Sequence, residues 1–119
     1  NLDYMFLLGL FNSSLMSFYI QKAIFSETTE SARHLDYPYL SLLPIIRKKE
    51  KDKDIKKIKE NVKLMLKLVE DKFNREYSGN EKERLEQQIK NVDYEINQEV
   101  YKLYGLTKEE IKIVEESLN

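Results

Sequence analysis

Residues 91–116 read NVDYEINQEVYKLYGLTKEEIKIVEE, and this stretch decides the fold. Its apolar residues recur at steps of four, four and three, which places them on one face of a helix: Val92, Ile96, Val100 and Leu103. Gly105 then offers the left-handed conformation that ends a helix. Thr107 and Glu110 form a Thr-x-x-Glu capping box that begins the next helix. The stretch therefore predicts a long helix, a stop and a short closing helix over 107–118.

The same spacing of apolar residues occurs before and after a predicted four-residue turn, Tyr-Ser-Gly-Asn at 77–80. Residues 53–76 carry a stripe made of Ile55, Ile58, Val62, Met65, Val69 and Phe73, widened by Leu66. Residues 81–104 carry Leu85, Ile89, Val92, Ile96, Val100 and Leu103, and their predicted capping pair is Asn80 and Glu83. Helices of equal length, roughly 36 Å each, predict an antiparallel hairpin of the coiled-coil kind. The closing helix is expected to add Ile111, Val114 and Leu118 to this seam.

The chain begins with two short apolar segments. Residues 2–11 are apolar on nearly every side, which predicts a helix buried all round. Asn12 or Ser13 can cap a second helix over 14–25. The first run is too short to span a bilayer, and no basic segment precedes it as in a signal peptide. Because helices this apolar need more partner surface than 119 residues readily supply, we expect one side to pack on a further domain or on a second copy.

Residues 26–46 hold both prolines and clusters of Ser and Thr, which indicates a loop. Pro38 suits the first turn of a brief helix through Leu43, and Pro44 ends it. The predicted fold class is therefore all-α: two short apolar helices, a Pro-containing loop with a short helix, a long antiparallel hairpin and a short closing helix.

Composition narrows the function classes. The chain has no Cys and a single His, which rules out disulfides, thiolate metal sites and most His-based zinc sites. Ser13-Ser14 has no His in the same element, so nothing indicates a hydrolase. Asp93, Glu95 and Glu99 are read as a solvated helix face rather than an acid–base pair. We therefore assign no catalytic residue, no metal site and no cofactor to the chain itself, and a reducing cytoplasm is the default compartment.

Charge is distributed unevenly along the chain. Nine basic and four acidic residues give segment 47–63 a net charge of +5, while nine acidic and five basic residues give segment 70–99 a net charge of −4. A basic block can mark a nucleic-acid edge, and it can equally be one of two complementary solvated helices. If the block contacts DNA phosphates, the candidate residues are Arg47, Lys48, Lys49, Lys51 and Lys53.

Three segments together resemble one family. Residues 7–13, LLGLFNS, resemble the "LLGLLNS" helix in the specificity region of adenine-specific DNA methyltransferases. Residues 39–45, YLSLLPI, resemble the "YLxxLPI" segment that closes that region. Residues 93–111, with VYKLYGLTKEE at the centre, resemble the family's ending "ID-x-x-VY-x-LYGLT-x-EE". The family comprises type II and IIG restriction–modification enzymes with a TaqI-like C-terminal specificity domain. Type I specificity subunits, with their helical spacers, are a more distant comparison.

The resemblance implies that catalysis takes place in a domain outside this chain. Such enzymes methylate adenine with S-adenosylmethionine in a catalytic domain, where an Asn-Pro-Pro-Tyr motif holds the flipped base. This chain contains neither that motif nor a glycine-rich cofactor loop. With Asn1 rather than Met at its start, it is expected to be the C-terminal piece: residues 1–46 end the target-recognition region and residues 47–119 form a helical tail.

The resemblance thus predicts a non-catalytic DNA-specificity or scaffold fragment of a restriction–modification methyltransferase, whose parent also cuts DNA in some members. Its expected partners are DNA and the catalytic and recognition domains, with no membrane. The alternative is a helical protein–protein interaction module that self-associates through the hairpin or the apolar N-terminal helices.

Overall fold

The computed structural model describes residues 3–24, 44–46, 51–74 and 79–118. In these ranges the chain is helical without strands, which confirms the all-α prediction. We number the α-helices in chain order: α1 (Tyr4–Phe11), α2 (Ser14–Tyr19, continued by a π-helical stretch, Ile20–Ile24), α3 (Asp52–Asn74), α4 (Gly79–Leu103) and α5 (Lys108–Leu118). The predicted short helix at 38–43 and the turn residues Tyr77 and Ser78 lie outside the described residues.

Helices α3 and α4 form the predicted antiparallel hairpin. Two ion pairs fix the direction: Asp54 at the start of α3 meets Lys102 at the end of α4 at 3.5 Å, and Lys72 meets Glu86 near the other end at 3.6 Å. Helix α4 begins at Gly79, so Asn80 lies inside its first turn and the prediction that Asn80 precedes and caps this helix is wrong.

One apolar cluster joins the hairpin to the N-terminal helices. Its buried members are Phe6, Leu10, Met16, Ile58, Val62, Val92, Ile96, Val100 and Leu103. Burying each such side chain contributes about 1.5–3 kcal/mol before the loss of conformational entropy. Four of the six predicted α4 positions belong to this cluster and Leu85 is also buried, which confirms those five, whereas Ile89 is only half-buried. On α3 the stripe is shorter than predicted, because Phe73 is 79% exposed and Leu66 also reaches solvent, while Leu68 packs against the cluster instead.

Helix α1 is buried on one side only, contrary to the prediction from its composition. Phe6, Gly9 and Leu10 face the hairpin, whereas Tyr4 is 87% exposed. A β-carbon at Gly9 would lie 2.6 Å from Val62 Cγ2 and 2.9 Å from Ile58 Cγ2. The missing side chain of Gly9 is thus what lets α1 approach α3 closely.

The helix ends follow the sequence signals. The carboxylate of Asp3 accepts hydrogen bonds from the N–H groups of α1, and the hydroxyl of Ser13 accepts one from Met16 N, which makes Ser13 the cap of α2. Gly105 has a φ of +68°, as predicted. The Thr107–Glu110 capping box is also confirmed: Thr107 N donates to Glu110 Oε1 at 2.9 Å, and Glu110 N donates to Thr107 Oγ1 at 3.2 Å.

Helix α5 packs elsewhere than expected. Val114 is buried, but the main contacts of α5 are with α2 rather than with the seam of the hairpin. The turn at Gly105 redirects the chain away from the α3–α4 seam, which is why the apolar residues of α5 do not extend it. The helix therefore closes the side of the molecule formed by α2.

Candidate nucleic-acid interface

The outer side of α3 carries five exposed lysines, which we call the lysine face: Lys53, Lys56, Lys57, Lys63 and Lys67. Their spacings of three, four and seven residues place them along one side of the helix, away from the buried Ile58 and Val62. From first to last they span roughly 21 Å at 1.5 Å per residue. Within the described ranges, none of the five forms an ion pair.

Three other lysines are paired with nearby acids. Lys59 Nζ lies 2.9 Å from Asp3 Oδ2, and Lys72 and Lys102 are the partners of Glu86 and Asp54 described above. The hydrogen bond from Lys59, helped by those from the N–H groups at the start of α1, lowers the pKa of Asp3. Glu60 is the acidic residue within the lysine face. Positive charge is therefore left concentrated on the outer side of α3.

The five predicted phosphate contacts are only partly placed. Arg47, Lys48 and Lys49 lie outside the described residues. Lys51 is half-buried just before α3, and Lys53 is exposed in its first turn. The structure thus groups Lys53 with four lysines that are not among the predicted phosphate contacts. Three of those lie in the basic segment 47–63 and Lys67 lies beyond it, and the signal that identifies them is helical spacing rather than adjacency along the chain.

The carboxylates of α4 are placed differently from one another. Asp93 and Glu95 are exposed, as predicted. Glu99 is half-buried, and its Oε2 is enclosed without a hydrogen-bond partner, which contradicts its assignment to the solvated face. Residue 99 lies between the core positions Ile96 and Leu103 on the helix, and this draws its carboxylate inward. The described part of the chain holds no group of three or more side chains suited to metal binding.

The hydroxyl of Ser13 has a structural role. It is buried, donates to Leu10 O at 2.6 Å and accepts from Met16 N at 3.3 Å. The next N–H group, of Ser14, donates to Asn97 Oδ1 at 2.8 Å. The corner between α1 and α2 is thereby attached to the C-terminal half of α4, and the Ser13 hydroxyl both donates and accepts within the fold.

Two tyrosines attach further segments to the end of α4. Tyr104 donates its hydroxyl to the carbonyl oxygen of Pro44, and burial raises the pKa of Tyr104. Tyr101 donates to Glu115 Oε1 at 3.4 Å, and burial raises the pKa of Tyr101 as well. The segment at 44–46 and helix α5 are therefore both held by tyrosines of the stretch 91–116.

A groove lies on the side of the hairpin that also carries α1. It has a volume of about 180 Å³. Its residues come from α1 and the residue that caps its end, from α3 and from α4: Leu8, Gly9, Asn12, Val62, Met65, Leu66, Asp93 and Ile96. The lining is apolar except for Asn12 and Asp93. The amide of Asn12 donates to Leu8 O at 2.8 Å. The carboxylate of Asp93 makes no ion pair in the portion of the chain described.

Comparisons with known proteins return no relative: no protein-family model, curated protein or solved structure matches the chain. Among the described helices, none combines the length and the apolar character needed to cross a membrane.

Proposed function

We propose that the chain is a non-catalytic helical scaffold of a DNA-modifying enzyme, which braces a target-recognition domain and contacts DNA phosphates through the lysine face. The observation that carries this proposal is the row of exposed lysines on α3, which form no ion pair within the described ranges. Duplex DNA carries one negative charge per about 1.7 Å of axis, so a cationic row of this length can lie along the backbone and release counterions. Contacts of this kind position a protein on DNA without reading its sequence.

The arrangement of the three family-like segments also supports the proposal. Ser14, which directly follows the first segment, contacts Asn97 in the third, and Pro44 of the second contacts Tyr104 in the third. Ile45 packs against the same apolar cluster. Segments far apart in sequence are therefore both attached to the third segment, as expected of a junction that holds a recognition domain in place. S-adenosylmethionine and the Asn-Pro-Pro-Tyr motif belong, in this proposal, to a separate catalytic domain.

The test is a salt titration of duplex binding measured by fluorescence anisotropy. The unmodified chain is expected to bind weakly, with an affinity that falls steeply as salt rises. Replacing Lys53, Lys57 and Lys67 with Gln should reduce the slope of log affinity against log salt by up to about 0.9 for each phosphate that the variant no longer neutralises. A matched control replaces Lys82, Lys90 and Lys108, three exposed lysines outside α3, and changes the net charge equally.

Two results would contradict the proposal. One is an affinity that does not depend on salt. The other is an equal reduction of slope in both triple variants, because the effect would then come from net charge and not from the lysine face. The parent family has its own test, since a gene that encodes an Asn-Pro-Pro-Tyr motif ahead of Asn1 would support the methyltransferase assignment and a gene without one would oppose it.

A further inference from the structure

Lys59 lies at the edge of the lysine face but is held by an acid. It follows Lys56 by three residues and precedes Lys63 by four, so both are its neighbours on the surface of α3. Its Nζ lies 2.9 Å from Asp3 Oδ2, and the side chains of Lys59 and Asp3 are 33% and 42% exposed. Both charged groups therefore remain open to solvent, from which a phosphate oxygen can approach Lys59.

The two oxygens of the Asp3 carboxylate have separate partners. Oδ1 accepts hydrogen bonds from Met5 N at 2.8 Å and from Phe6 N at 3.4 Å, which caps α1. Oδ2 contacts Lys59. The N–H groups of α1 thus fix the carboxylate beside Lys59, where one of its oxygens contacts the ammonium group as a phosphate oxygen would.

Two further ion pairs join helices in the described ranges, and neither involves a lysine that adjoins the lysine face. Lys102 lies on α4 and pairs with Asp54. Lys72 pairs with Glu86, and no member of the lysine face lies three or four residues from it along α3. The pair between Asp3 and Lys59 is therefore the one placed to change the number of cations on this surface.

We propose that Asp3 is an autoinhibitory contact of the DNA-binding surface, which competes with phosphate for Lys59 and so lowers the affinity for DNA. The inference rests on the proposed function and describes the regulation of that same surface. Ion pairs between partly exposed side chains are weak and are screened by salt, so this one can exchange. A duplex offers many phosphates and releases counterions on binding, whereas Asp3 offers a single charge. Lys59 is thus a sixth phosphate-binding lysine that Asp3 holds back.

Asp3→Asn tests the competition in the salt titration of duplex binding. Asn keeps an oxygen that can cap α1, but its uncharged amide group cannot form the ion pair with Lys59. The variant should bind up to about eightfold more tightly at about 0.1 M salt, and its slope of log affinity against log salt should steepen by up to about 0.9, as one further phosphate contact requires. Glu109→Gln is the matched control: it removes the same charge from an exposed position on α5 and should change neither quantity. Circular dichroism checks that both variants remain folded.

Lys59→Gln shows whether the gain in affinity comes through Lys59. When it is combined with Asp3→Asn, the gain should disappear, because no cation is left to release. An equal gain with and without Lys59 would overturn the proposal, since Asp3 would then act only by repelling DNA. An Asp3→Asn variant that binds like the unmodified chain would also overturn it.

The same titration separates this inference from the proposed function. If the triple lysine variant reduces the salt slope but Asp3→Asn has no effect, the autoinhibitory contact alone is refuted. If the unmodified chain shows no salt-dependent binding to duplex DNA, the proposed function fails, and the inference fails with it.

Discussion

Gly105 lies in the turn between the hairpin and α5, and this turn needs a positive backbone angle φ at that residue. With φ at +68° and no atom within 4 Å of the point where a β-carbon would lie, any cost of a side chain there comes from the backbone alone. Gly105→Ala is expected to lower the free energy of unfolding by about 1 kcal/mol, and Gly105→Asn by less, because Asn tolerates the left-handed region. Urea denaturation of the two variants measures the difference. Equal losses would show that the backbone angle is not the cause.

Two carboxylates at helix starts make stability depend on pH. The hydrogen bond from Lys59 lowers the pKa of Asp3 below 3.8, and the backbone N–H of Thr107 lowers the pKa of Glu110 below 4.5. A lowered pKa means that the unfolded chain binds protons more readily, so this stabilisation is present above those ordinary values and is lost as pH falls through the lowered ones.

The double variant Asp3→Asn, Glu110→Gln isolates this effect. Both replacements keep a hydrogen-bonding side chain but cannot ionise, so the free energy of unfolding should fall less steeply with acid than in the unmodified chain. Denaturant unfolding at a series of acidic pH values gives the two slopes. If the slopes coincide, other carboxylates govern acid unfolding.

At the scale of the helices, the contact between α1 and α3 depends on Gly9. Ala would gain about 1 kcal/mol in helix propensity, but its β-carbon would meet Val62 and Ile58 at distances that require these β-branched side chains to move. Overpacking of this kind costs about 1–3 kcal/mol. Gly9→Ala is therefore expected to destabilise the protein by up to about 2 kcal/mol, despite the better helix former, as measured by chemical denaturation.

A double-mutant cycle with Val62→Ala shows whether the clash is the cause. Val62→Ala removes the nearer of the two methyl groups, so Gly9→Ala should cost clearly less in that background, with a coupling of about 1 kcal/mol. Additive effects would assign the destabilisation to something other than the close approach of the two helices.

The hairpin could be predicted from the sequence because its information is local. Spacing alone identified the α4 stripe, and the capping box identified the start of α5. The buried side of α1 could not be predicted, since apolar residues lie all round the helix. Gly9 faces the hairpin because its missing side chain allows close contact with Val62 and Ile58, which the sequence does not show. Phe73 was assigned to the core because it continues the spacing, but spacing does not show where the neighbouring helix stops covering the stripe.

The candidate interface was predicted less well than the fold. Sequence adjacency selected residues 47–53, whereas Lys57 and Lys67 share a surface with Lys53 only through the helical repeat. The sequence could not show that Lys59 forms an ion pair, because its partner Asp3 lies far away in the chain. Which cations remain free therefore depends on tertiary contacts, and those follow from how α1 packs on α3.

At the scale of the whole molecule, the apolar cluster joins α1 and α2 to the hairpin, so we expect these elements to unfold together. Leu10 is fully buried in this cluster, and Leu10→Ala should lower the free energy of unfolding by about 2–5 kcal/mol through the reduced burial and the cavity. If unfolding is cooperative, hydrogen exchange at the Ile58 and Val100 amides should speed up as much as exchange in α1. Leu64→Ala, on the exposed side of α3, should change stability by less than about 0.5 kcal/mol. Faster exchange confined to α1 would show instead that the hairpin is stable without it.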